Sequence, residues 1–143
     1  MSLGEKARRL EEDYGLLPDP QDRFQYLIEQ SANDPGLTAE ERISQFRIHG
    51  CTSQVWVIPE FRDGRVYYRT DGDSPVVKAL AWILADFYSG ETGEAISQTP
   101  PAFLERLGLT RALTENRRRG LRSMIERFQV LARGASSRTG TEG

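Results

Sequence analysis

The chain carries one thiol and one imidazole, two residues apart, in His49-Gly50-Cys51-Thr52-Ser53-Gln54. A cysteine thiolate attacks sulfur or carbon electrophiles, ligates soft metals and exchanges with disulfides. With a single cysteine and a single histidine the chain closes no internal disulfide and builds no thiolate-rich metal site, so no metal ligand is assigned. Two readings of Cys51 remain: a nucleophile acting alone, or a small buried hydrophobe, which free cysteine often is. The preceding glycine and the polar run Thr52, Ser53, Gln54 resemble a loop tip more than a core, and they bring the two readings level. Residues two apart on an extended segment point the same way, so His49 could act as a base toward Cys51. No motif supplies an orienting third group or an oxyanion site, and a polar loop histidine is the plainer reading.

The flanking sequence says what must position this thiol. Leu3, Ala7, Leu10 and Tyr14 recur at helical spacing before Gly15, and Asp19-Pro20 has the form of a cap followed by proline at the first helical position. That second helix carries Phe24, Leu27, Ile28 and Ser31 and should stop before Pro35-Gly36. Thr38 and Glu41 have capping-box spacing, which predicts a brief helical turn leading into Ile43 to Ile48. From Ile48 the texture turns to branched and aromatic residues, with Asp63-Gly64 as a tight hairpin turn between VWVIPEF and VYYRT. Pro59 cannot donate to a ladder, which puts its strand at an edge or at least points that position away from a neighbour. Ser74-Pro75 opens a strongly apolar helix through Tyr88, ending at Gly90, and short helical pieces follow around Glu94 to Ser97 and Ala102 to Leu107. Thr114 caps a last helix carrying Leu121, Met124, Ile125, Phe128, Leu131 and Ala132, with Gly134 as its expected close. These elements predict an α+β domain over 1–134, a small antiparallel sheet packed against several helices, followed by a flexible tail at 135–143.

Composition narrows the partners. At 143 residues, 38% hydrophobic and 28% charged, the chain is long and apolar enough to fold as one domain without disulfide or metal. Its formal charge of -2 gives no global field that would recommend nucleic acid or an anionic membrane. No apolar run approaches a bilayer span, and the amino-terminal residues lack a signal-peptide core, so a cytoplasmic location is expected.

The residues around Cys51 carry a resemblance to a known family. Gly50-Cys51-Thr52-Ser53-Gln54-Val55-Trp56, the hairpin, the acidic turn and helix TDGDSPVVKALAWILADFYSGET, and the later LERLGLTRALTENRRRGLRSMIERF occur in the order seen in SufE proteins. The resemblance runs from about Gln21 to Ala132, departing at Thr52, Pro75 and Asn116. It implies an α+β fold of the SufE and IscU type, with Cys51 as persulfide acceptor. It also implies loop-supporting or partner-binding roles for Gly50, Gln54, Asp71, Asp73, Arg117 and Gly120. The partners it implies are a PLP-dependent cysteine desulfurase, which the protein would stimulate, and an iron-sulfur cluster scaffold. No resident cofactor beyond the transient persulfide and no stand-alone turnover are expected. The rivals are a non-catalytic interaction module that regulates a desulfurase and, further off, a thiol hydrolase using Cys51 and His49. Val55, Trp56, Leu80 and Leu84 are candidates to shelter an inward-turned thiol.

Overall fold

The computed structural model describes the backbone of residues 1–142 and the side chains of residues 1–134. Ser2 and Asp19 cap helices α1 (Leu3–Gly15) and α2 (Pro20–Ala32) by accepting from the backbone amides of Glu5 and Gln21, so each helix begins where a side chain satisfies its free amides. Thr38 and Glu41 form one half of the capping box: Glu41 Oε1 accepts from the Thr38 amide at 3.1 Å, while the Glu41 amide donates to the Thr38 carbonyl. No α-helix follows it. Only a 3-10 turn at Ser44–Phe46 intervenes before Arg47 bridges to Trp56.

The antiparallel hairpin β1 (Val55–Arg62) and β2 (Arg65–Gly72) turns at Asp63 and Gly64, with φ of 53° and 75°, the paired positive values that a two-residue turn matching strand twist requires. Its register runs from Val55 opposite Gly72 to Arg62 opposite Arg65. Val66, Tyr68 and Thr70 are buried at alternate positions of β2, so one face of the hairpin is turned to the core. Pro59 lies on β1 at the edge of the sheet, as its missing amide predicts. Ser74 caps α3 (Pro75–Tyr88), whose Leu80, Ile83, Leu84 and Phe87 are almost completely buried. A third strand that the sequence did not announce, β3 (Glu91–Thr92), pairs with β2 at Val66 and Arg65. Its two residues are too few to show alternation.

Helices α4 (Gly93–Gln98) and α5 (Phe103–Arg106) then lead to α6 (Glu115–Glu142), which Thr114 caps by accepting from the Arg117 amide. Tyr68 donates its hydroxyl to the Phe128 carbonyl at 2.8 Å, tying α6 across the sheet. The expected close at Gly134 is not observed; α6 runs on to Glu142. A glycine ends a helix only where the chain takes a left-handed turn, and here it stays helical. The flexibility expected of 135–143 lies outside the residues described in full.

Asp71 is the main polar anchor of the interior. It is 2% exposed and accepts from the Leu37 amide at 2.9 Å, the Gly72 amide at 2.8 Å and Arg42 Nε at 3.0 Å. A side chain at Gly36, whose φ is 73°, would overlap this carboxylate. The carboxylate thereby fastens the 34–42 segment to the end of the hairpin. Burial alone would raise its pKa, but the Leu37 and Gly72 amides and Arg42 outweigh burial and hold it below the usual range. A depressed carboxyl pKa contributes stability above its unfolded value and loses it as pH falls through the folded one. Asp71→Asn is therefore expected to cost about 2 kcal/mol in urea unfolding at neutral pH. The gap from wild type should close in titrations taken below about pH 4.

Candidate functional site

The loop from His49 to Gln54 is closed at its base by the Ile48 amide donating to the Val55 carbonyl at 2.8 Å. Gly50 turns the chain with φ of 93°, and a side chain there would meet Ser123 Oγ at 2.5 Å, so position 50 requires glycine for both backbone and space. The turn lays Cys51 on α6. Its thiol donates to the Gly120 carbonyl at 3.4 Å, and a β-carbon at 120 would stand 3.5 Å from the sulfur. The bare backbone of α6 thus forms the floor on which the sulfur rests.

Around the sulfur is a cavity of about 10 Å³, with Val77, Leu80 and Met124 on its apolar side and Ser53, Asn116 and Arg117 at its polar rim. Of the four residues expected to shelter the thiol, only Leu80 lines this cavity; Val55, Trp56 and Leu84 are buried elsewhere in the core. Val77 and Met124 take their place because α3 and α6, not the strand, face the loop. Cys51 itself is half-buried. Burial pushes its thiol above the ordinary cysteine range, and the positive charge of Arg47 offsets only part of this.

The other expected residues divide by what they touch. Arg117 Nη1 donates to Ser74 Oγ at 3.2 Å and joins the start of α6 to the cap of α3 beside the cavity. Asn116 donates to Thr52 Oγ1 at 3.4 Å and holds the outer side of the loop. Gln54 and Asp73 meet through backbone alone, the Asp73 amide donating to the Gln54 carbonyl at 3.0 Å, and the Asp73 side chain is exposed. Asp71 is not at the thiol; its carboxylate faces Leu37 and Arg42 and supports the loop only through the hairpin. His49 is exposed and lines a separate cavity with Arg47, Ser123 and Glu126, while the thiol is directed to Gly120, so no cysteine-histidine pair is assembled. Among the described residues, no three histidine, cysteine or carboxylate side chains group to hold a metal, and no helix is long and apolar enough to cross a membrane.

Fold and site together define an α+β domain that rests one half-buried thiol on a helix backbone at the entrance to its sheet. The chain belongs to the SufE family: the model of that family, described as an Fe-S metabolism associated domain, matches residues 8–132. An uncharacterised SufE-like protein of Rhizobium meliloti is 30% identical over 128 residues, covering 86% of this chain and 91% of its own length. One from Synechocystis is 31% identical, covering 80% and 72%. A SufE-like protein of Arabidopsis thaliana, named as chloroplastic/mitochondrial, is 30% identical over 91% of this chain but only 35% of its own. The solution structure of a hypothetical protein from Thermus thermophilus superposes with a TM-score of 0.74 at 30% identity, covering 92% of this chain and 96% of that one. Membership gives the chain a role in iron-sulfur metabolism.

Three outcomes follow from the geometry. The rate of Cys51 alkylation by iodoacetamide should rise with pH to a midpoint above the free-thiol value of about 8.5. Gly120→Ala, whose added carbon meets the sulfur at ordinary contact distance, should leave that rate within about twofold and stabilise α6 by about 0.5–1 kcal/mol. Gly120→Leu should drive the thiol out and raise the alkylation rate at neutral pH about tenfold.

Proposed function

We propose that this protein is a sulfur acceptor and carrier. Cys51 takes sulfane sulfur from a PLP-dependent cysteine desulfurase, whose turnover is stimulated by the removal of its product, and passes it to an iron-sulfur cluster scaffold. The observation that supports this reading most is the seat of the chain's one thiol: half-buried on Gly120, at the end of a glycine-hinged loop, in a chain of the SufE family.

In the transfer the Cys51 thiolate attacks the terminal sulfur of the desulfurase persulfide. A sulfur-sulfur bond forms at Cys51, the one in the desulfurase breaks, and the desulfurase thiolate leaves. The sulfane sulfur keeps its oxidation level, so no external oxidant or reductant enters. The Cys51 proton passes to a base at the docked interface. Onward delivery repeats the exchange, with a scaffold thiolate attacking the sulfane sulfur and Cys51 leaving.

The inward seat suits storage and opposes attack. Burial holds Cys51 as a thiol, which guards the free protein against stray electrophiles. The loop is anchored at its tip by contacts of 3.4 Å from a weak sulfur donor and from Asn116, so docking has little to break when it turns the thiol outward at Gly50. Ionisation then occurs in the partner's site. The carrier needs no resident cofactor in this scheme, and a cytoplasmic location remains part of the proposal.

The test is incubation with free cysteine and the desulfurase encoded in the same genome, followed by intact mass under non-reducing conditions. The wild-type protein should gain one sulfur atom and Cys51→Ser none. Stimulation retained in full by Cys51→Ser would replace the carrier with a regulatory interaction module.

A further inference from the structure

On the other flank of α6 from the thiol, between Pro100–Leu104 and the first turns of the helix, lies a groove of about 550 Å³. Its floor is apolar, from Pro101, Leu104, Leu121 and Ile125, and its rim carries Arg111, Arg118 and Arg122 against one carboxylate, Glu105. Glu115 stands 3.7 Å from both Arg118 and Arg122, and Arg118 Nε donates to the Thr110 carbonyl. Among the described residues, Arg111 pairs with no carboxylate. The charge is local: from Glu105 to Arg127 seven arginines outnumber three glutamates, a balance of +4 in a chain whose total is -2.

Resting on the carrier reading, we infer that this groove receives an apolar, carboxylate-flanked segment of the sulfur-donating desulfurase. A stable protein complex buries about 800 Å² on each partner. The Cys51 loop is too small to supply that area alone. The turns of α6 that place Arg117 and Gly120 at the thiol place Arg118, Leu121 and Arg122 in the groove. A donor that reaches Cys51 therefore straddles α6 and meets both. Arginines on the rim of an apolar floor select carboxylates around a hydrophobic ridge, and they speed encounter in a salt-dependent way. The groove lining has no aromatic side chain on which a nucleobase could stack.

The experiment measures binding to the immobilised desulfurase of the same genome by biolayer interferometry at low and high salt. It compares wild type, Arg111→Glu/Arg122→Glu, Arg111→Gln/Arg122→Gln and Ile125→Ala, with persulfide loading of each followed by mass. Both arginines are exposed, and thermal melting reports whether each variant folds. The charge-reversed pair should bind about tenfold more weakly at low salt, through a slower association rate, and lose most of its salt dependence. The glutamine pair should fall between, and Ile125→Ala should dissociate severalfold faster. Equal affinity and salt dependence in folded variants and wild type would overturn the inference, as would absence of wild-type binding. Charge-sensitive binding without any sulfur gained by wild type would instead defeat the carrier reading and leave the groove standing.

Discussion

The contact between Cys51 and the unclothed backbone of α6 at Gly120 governs the rest of the site. A residue larger than alanine at 120 would press into the place of the sulfur, and any residue but glycine at 50 would collide with Ser123 and resist the positive φ that lays the loop down. Two glycines on different elements thus define one seat. A sulfur carrier faces opposed demands, since the group must be protected in transit and nucleophilic on arrival. A half-buried thiol with a raised pKa meets the first, and a loop with few anchors meets the second.

The remainder of the fold makes that seat reproducible. Asp71 locks the 34–42 segment against the hairpin, the Asp73 amide holds the loop exit at Gln54, and Arg117 bonds the cap of α3. Each of these fixes the frame without bonding the thiol itself. Among the described residues no buried side-chain polar atom lacks a partner, so the frame holds no unpaired group that would favour opening elsewhere.

Local signals in the sequence were strong enough to reveal most of the frame. Asp19-Pro20, Ser74-Pro75 and Thr114 cap helices because their side chains act within three residues, and Asp63-Gly64 turns the hairpin because its backbone angles are a local property. What sequence alone left hidden is long-range. The pairing of Asp71 with Leu37 spans 34 residues, and the resemblance, which gave Asp71 a partner-binding or loop-supporting role, held no sign of this interior contact. Val77 and Met124 as walls of the cavity depend on how α3 and α6 pack, which periodicity cannot specify. The run of α6 through Gly134 shows the same limit, since a glycine marks a helix end only when tertiary contacts let the chain turn there. Gly120 was legible as a site residue only through family resemblance, and its distance in sequence from Cys51 gives no hint that the two touch.

The most direct measurement is the lifetime of the sulfane sulfur on isolated, persulfide-loaded protein challenged with dithiothreitol, compared between wild type and Gly120→Leu. A sheltered seat on α6 requires the wild-type persulfide to survive about tenfold longer than that of the variant, in which the seat is filled. Equal lifetimes in the two folded proteins would show that the sulfur travels unprotected and that the contact with Gly120 has no part in carriage.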